Sequence, residues 1–61
     1  MIEILIVEDE KPISDLIRLN LMKAGYSCTC AFDGMEAADI LEERNFDLII
    51  LDRNAAEVKR L

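Results

Sequence analysis

The run of apolar residues at positions 2–7, Ile-Glu-Ile-Leu-Ile-Val, constrains the fold of this chain more than any other feature. Such a short, β-branched, nearly uninterrupted run is typical of a strand buried on both faces inside a parallel sheet. Residues 46–52, Phe-Asp-Leu-Ile-Ile-Leu-Asp, are apolar almost throughout and predict a further strand. Residues 26–31 lie between them in the chain and are more polar, so we expect an edge strand there.

A first amphipathic helix is predicted after the opening strand. Pro12 suits its first turn, where a backbone N–H is not needed, and Gly25 suits its end, where the backbone turns left-handed. The apolar residues recur with helical spacing. The predicted inward face is Ile13, Leu16, Ile17, Leu21 and Ala24, and the predicted outward face is Ser14, Asp15, Arg18 and Lys23.

A second helix is predicted from Asp33 to about Arg44, with Asn45 closing it. Asp33 and Glu36 have the spacing of a capping pair, whose side chains bond the free backbone N–H groups at a helix start. The residues expected to face inward are Met35, Ala37, Ala38 and Leu41.

The alternation of strand and helix predicts an α/β fold, a βαβαβ unit with a parallel sheet and right-handed crossovers. Residues 53–61 are expected to form a tight turn and one or two turns of a short third helix. The 61 residues leave room for a single domain, residues 1–61. Because the sheet ends on an apolar strand and a fragment of helix, we expect this domain to be part of a larger one.

Composition excludes several classes of function. The chain has a net charge of -6 and a pI near 4.4, which argues against direct binding to nucleic acid or anionic lipid. It contains no histidine, so histidine-based catalysis and histidine metal sites are excluded. No apolar run approaches the roughly 20 residues that cross a bilayer, and no basic region precedes the first strand as in a secretory signal.

Cys28 and Cys30 are expected to be reduced thiols on one face of the second strand. A disulfide between residues two apart in a strand would be strained. A lone pair is also a poor metal site when four ligands are needed. Buried reduced thiols fit a cytosolic protein.

Acidic residues follow two of the predicted strands. Glu8 and Asp9 come after the first strand and Asp52 ends the third. If these strands are neighbours, three carboxylates meet at the carboxyl edge of the sheet, where sites form in open α/β proteins. Such a cluster is tolerated only if some of the carboxylates are protonated or if a cation is bound, and carboxylate oxygens without histidine or cysteine favour Mg²⁺. The alternative is that these residues, together with Glu10, have no metal-binding role and serve only to stabilise the positive amino-terminal ends of helices.

Three motifs resemble the receiver domain of two-component response regulators. Residues 4–10, Ile-Leu-Ile-Val-Glu-Asp-Glu, are similar to its first strand and acidic pair, most closely in the OmpR/PhoB-type subgroup. Residues 33–37, Asp-Gly-Met-Glu-Ala, resemble the start of its second helix, and residues 46–52 its third strand. The resemblance covers residues 1 to about 54 and implies half of a flavodoxin-like sheet with strand order 2-1-3.

The resemblance also implies roles for individual residues. Asp52 would accept a phosphoryl group from the phosphohistidine of a sensor histidine kinase. Glu8 and Asp9 would hold Mg²⁺ together with Asp52, Glu8 through water, and Asn54 would add a backbone carbonyl. The whole protein would be a cytoplasmic transcription regulator with a winged-helix DNA-binding domain. It would be a phosphoacceptor and not an enzyme, with at most weak self-phosphorylation from small donors.

The chain departs from the family pattern after Asp52. Ala55 and Ala56 stand where the family has Leu-Pro, and the glycine that follows is absent, which affects the assignment of Asn54. The fourth and fifth strands of a receiver are also missing, with the Ser/Thr and Lys that read the phosphoryl group. The alternative is therefore a catalytically silent half-domain, without switching, that forms a homodimer through its third strand.

Overall fold

Three parallel strands and two helices make up the part of the chain that the computed structural model describes, residues 1–51. The elements are β1 (Glu3–Val7), α1 (Lys11–Lys23), β2 (Ser27–Ala31), α2 (Gly34–Glu43) and β3 (Leu48–Leu51). The strand order is β2-β1-β3, and both strand pairs are parallel. The predicted α/β half-sheet of flavodoxin-like order is confirmed. The predicted third helix lies outside the described residues.

The central strand β1 forms the core. Its residues 4–7 are almost completely buried, as predicted for a strand covered on both faces. Its neighbour β2 is an edge strand, also as predicted. The other neighbour, β3, is far more exposed: Leu48, Ile49 and Leu51 each keep at least 41% of their accessible surface.

Each strand is shorter than its apolar run. Ile2, Tyr26 and Phe46 were included in the predicted strands but precede them in the structure. Ile2 and Tyr26 still take part in backbone bonding at the strand starts: the N–H of Ser27 donates to the Ile2 carbonyl, and the N–H of Tyr26 to the Leu21 carbonyl. The apolar runs therefore begin one or two residues before the hydrogen-bonded strands.

The start and end of α1 are as predicted, but its buried face is not. Pro12 lies in the first turn, and Gly25 has a positive φ of 99° just after the helix. The prediction for Ser14 was wrong, because this residue is buried while Ile13 and Leu16 are 43% and 58% exposed.

The capping of α2 is confirmed, whereas most of its predicted inward face is wrong. Asp33 is the N-cap residue, and Ala37 is buried as expected. Met35 is 68% exposed. The other inward predictions that fail are Ala38 and Leu41, which are also exposed. Ile40 packs against the core instead, and Arg44 rather than Asn45 is the C-cap residue.

The two faces of the sheet are distinguished by what packs against them. Leu5, Val7 and Ala31 form a cluster with Ala37 of α2, so alternate residues of the strands face α2. The residues between them share the opposite face, on which α1 packs over β1 and β2. Cys28 and Cys30 belong to that α1 face. They are free thiols as predicted, but half-buried instead of fully buried.

A clamp at the amino-terminal edge of the sheet joins α2 to the strands. The Arg44 guanidinium donates to Thr29 Oγ1 at 3.2 Å and pairs with Glu3 Oε1 at 3.3 Å, and it lies 5.0 Å from the Phe46 ring centroid. The backbone N–H of Glu3 also donates to Asp47 Oδ2 at 2.8 Å. These contacts fix the end of α2 far from the acidic edge.

Candidate functional site

The carboxyl ends of β1 and β3 lie side by side. The register pairs Ile4 with Leu48 and continues to Val7 with Leu51. Glu8 and Asp9 follow β1 directly, and in the sequence Asp52 follows Leu51. Asp52 and Asn54 lie outside the described residues. The structure therefore brings the two strands together in the arrangement on which the predicted carboxylate site depends, and it describes two of the four predicted site residues.

Glu8 is a buried carboxylate held by the loop between β1 and α1. Its backbone N–H donates to the Ala31 carbonyl at 3.0 Å, which extends the β1–β2 ladder by one bond. Its side-chain Oε2 accepts from the backbone N–H of Glu10 at 3.1 Å. Only 4% of the residue is accessible. A carboxylate removed from water in this way needs polar partners, and one of them is this backbone N–H.

Asp9 differs from Glu8 in being exposed, although the two are adjacent at the same edge. One carboxylate is therefore fixed beneath the surface and the next is open to solvent. This combination places oxygen ligands of two kinds at one point, a positioned one and an accessible one. Carboxylate oxygens are the ligands that Mg²⁺ prefers in proteins.

The alternative role for the acidic run, to favour the start of α1, receives limited support. Glu10 is the N-cap residue, but its side chain makes no capping bond, and the first turn of α1 contains no acidic residue. Only Glu8 contributes locally, through its bond to the Glu10 N–H. This bond was not predicted, because it depends on the loop backbone and no sequence pattern encodes it.

A second acidic pair at this edge has a structural role. Asp33 Oδ1 accepts from the Glu36 N–H at 2.8 Å, and Glu36 Oε1 accepts from the Phe32 N–H at 2.7 Å. Both carboxylates thus bond the backbone at the start of α2, as the capping prediction requires. Because both carboxylates bond the backbone, they differ from the exposed Asp9 and are not candidate metal ligands.

The donor set fits a hard cation but is incomplete within residues 1–51. In this range no group of three or more His, Cys, Asp or Glu side chains is arranged to hold a metal ion. Glu8 and Asp9 supply two carboxylates, and the third predicted ligand, Asp52, is the next residue after the described end of β3. The oxygen chemistry of these residues suits Mg²⁺ better than a soft metal.

A parallel α/β sheet with acidic residues at its carboxyl edge belongs to the class of open α/β domains that bind ligands at the carboxyl ends of their strands. Within that class, a family model described as the response regulator receiver domain matches residues 4–59. The match covers nearly the whole chain, so the chain belongs to the response regulator receiver domain family. This confirms the family resemblance and supports a phosphoacceptor role in two-component signalling. No helix among residues 1–51 is long and apolar enough to span a membrane.

Proposed function

We propose that this chain is the phosphoacceptor part of a two-component response regulator of the OmpR/PhoB type, with Asp52 as the residue that receives the phosphoryl group. The observation that carries the proposal is the β1–β3 register, which ends at the Val7–Leu51 pair. It sets the end of the strand that leads to Asp52 beside the strand that leads to Glu8 and Asp9. The family membership supports the same role.

In the proposed reaction a carboxylate oxygen of Asp52 attacks the phosphorus of the donor. A new O–P bond forms, giving an acyl phosphate. The bond from phosphorus to the leaving group breaks, and the leaving group keeps the electron pair. The donor in the cell would be the phosphohistidine of a sensor histidine kinase, and a small acyl phosphate can replace it in vitro. The chain is then a substrate of phosphoryl transfer and not an enzyme.

Glu8, Asp9 and Asp52 would hold Mg²⁺, with a backbone carbonyl of Asn54 as a further ligand. When bound, the ion offsets the negative charge of the phosphoryl group and of the carboxylates around it. Glu8 contributes a carboxylate already fixed by the Glu10 N–H, which limits the rearrangement needed on binding. Asp9 contributes an exposed carboxylate that an incoming ion can reach.

The test is incubation with acetyl phosphate and Mg²⁺, read as the intact mass of the chain. We expect a gain of one phosphoryl group that depends on Mg²⁺ and is lost in Asp52→Asn. Asp39→Asn is the matched control, because Asp39 is an exposed carboxylate of α2 away from the acidic edge. An unchanged wild-type mass, beside a five-stranded receiver that is phosphorylated under the same conditions, would contradict the proposal.

A second candidate function, a silent homodimer, is favoured by the exposure of β3. Leu48 and Leu51 are more than half exposed, and among the described residues the outer edge of β3 pairs with no strand. Such an edge pairs readily with another chain. We propose a second copy as the partner, through two-fold pairing of β3. Light scattering over a concentration series should give the mass of a dimer that dissociates on dilution. A monomer at every concentration would refute it.

The remaining parts of this proposal concern the whole protein. Its output would be regulation of transcription through a separate DNA-binding domain, in the cytoplasm where sensor kinases present their phosphohistidine. The negative charge of the chain agrees with an indirect role, since a net charge of -6 opposes contact with nucleic acid. Gel-shift measurement of the 61-residue chain should therefore show no binding to DNA.

A further inference from the structure

We propose that Cys28 and Cys30 form a binding site for a soft, two-coordinate monovalent cation such as Cu(I). Both residues lie on the edge strand β2 and share its α1 face. Both are half-buried free thiols, so a small ion can reach them. This site is separate from the acidic edge and has the opposite ligand preference, since thiolates select soft metals and carboxylates select hard ones.

The spacing of the two thiols favours a bridging ion over a disulfide. Residues two apart in a strand are separated by about 6.6 Å. A disulfide needs Cβ atoms about 3.5–4.5 Å apart, so direct bonding would distort the strand. With bonds of about 2.3 Å, the zinc–thiolate length, a linear S–metal–S unit spans about 4.6 Å and extends the bridge by about 2.5 Å. Added to the roughly 3.5–4.5 Å between the Cβ atoms of a disulfide, this extension gives about 6–7 Å, which matches the separation of about 6.6 Å between the two residues.

A site with two ligands suits a linear ion and excludes a tetrahedral one. Among residues 1–51 no third His, Cys, Asp or Glu joins the pair to form a metal-binding group. Zn²⁺ in structural sites takes four protein ligands, so these two thiols alone would hold it poorly. The missing ligands that argue against zinc are not needed by a two-coordinate ion.

Metal binding has to displace the proton of each thiol, which burial and the nearby acidic groups oppose and one cation favours. Burial raises the pKa of the Cys28 thiol, and the neighbouring Cys30 and Glu3 act in the same direction, while the guanidinium of Arg18 on α1 opposes them. On binding, each thiol loses its proton to solvent and each sulfur forms one bond to the ion. The ion remains Cu(I), and the complex carries one negative charge, which Arg18 can partly offset.

The experiment titrates the reduced 61-residue chain with Cu(I) against a chromophoric Cu(I) chelator under nitrogen. We expect one tightly held ion per chain. In the wild type the second thiol is held near the bound ion at an effective concentration in the millimolar range. Cys28→Ser and Cys30→Ser each lack that second thiol, so each should bind about a hundredfold more weakly. Far-UV circular dichroism should show that each variant keeps the fold.

A matched control keeps the number of thiols and changes only their geometry. The double variant Thr29→Cys, Cys30→Ser places thiols at successive positions, which point to opposite faces of the strand. It should bind as weakly as the single variants. Because the double variant also removes the Thr29 Oγ1 that accepts from Arg44, Thr29→Ala is measured beside it and should bind Cu(I) as the wild type does. Equal affinity in this double variant, or in either serine variant, would overturn the proposal. So would one ion shared by two chains, detected as a dimer by light scattering only when Cu(I) is present.

Discussion

Replacing Asp33 by alanine should destabilise the chain by weakening the start of α2. The Asp33 side chain accepts from the Glu36 N–H at 2.8 Å, and the Glu36 side chain accepts from the Phe32 N–H at 2.7 Å. Loss of an N-cap side chain costs about 1 kcal/mol, within a range of about 0.5–2 kcal/mol. A domain of this size has only about 3–5 kcal/mol of stability from its core, so the change removes a substantial part of it.

The assay is thermal unfolding followed by far-UV circular dichroism. For a domain of about 60 residues, 1 kcal/mol lowers Tm by about 4–8 °C. All variants must be compared at one protein concentration, because self-association would make Tm depend on it. Glu36→Ala should lower Tm by less, because the higher helix propensity of alanine partly offsets the loss of the bond from the Phe32 N–H. The double variant should lose less than the sum of the two single changes, by about 0.5 kcal/mol, because both side chains serve one turn.

Asp39→Ala is the control for this comparison. Asp39 is an exposed residue within α2, so its replacement removes a carboxylate of the same type without changing the start of the helix. Alanine favours the helix interior over aspartate, and Tm should therefore stay constant or rise. If Asp33→Ala lowers Tm no more than Asp39→Ala does, the reasoning that the capping pair holds α2 is refuted.

Further predictions concern the core, the clamp and one thiol. Ser14→Leu should lower the unfolding free energy by about 1–3 kcal/mol through overpacking. Leu16→Ser should lower it by less, because Leu16 is 58% exposed. The reverse order of the two variants in urea unfolding would contradict the fold. Ile6→Ala should cost about 2–5 kcal/mol and leave the chain largely unfolded by circular dichroism. Arg44→Gln should cost at most about 2 kcal/mol, because its ion pair is half exposed, and the loss should shrink in high salt. Since the pKa of Cys28 is raised in the folded chain, the free energy of unfolding should fall as pH rises above the thiol's ordinary range. For the same reason iodoacetamide should label Cys28 more slowly in the folded chain than in urea. Equal labelling rates would contradict this.

The topology could be predicted because it depends on signals that are local in the sequence. The apolar run of β1, Pro12 at the start of α1 and Gly25 after its end each act within a few residues, and all three are in the structure as expected. The alternation of strands and helices then leaves few arrangements that obey right-handed crossover. The family match to residues 4–59 agrees with the same reading.

The faces of the helices could not be predicted from periodicity alone. Apolar residues of α1 span a wide arc, and periodicity does not say which part of that arc touches the sheet. In the structure Ser14 is the buried residue of this helix, whereas Ile13 and Leu16 are largely exposed. The clamp around Arg44 was missed for another reason: its partner Glu3 is 41 residues away, and no local pattern marks that contact.

The acidic edge shows most clearly what the structure adds to the sequence. The sequence contains two pairs of acidic residues after strands, Glu8–Asp9 and Asp33–Glu36, and both pairs could serve a helix start or a cation. The structure separates them, because both carboxylates of the second pair accept backbone N–H bonds at the start of α2. In the first pair only Glu8 has such a bond among those described above, and Asp9 stays exposed. A cation at this edge would therefore be bound beside β1, the strand that the register sets next to β3 and the approach to Asp52.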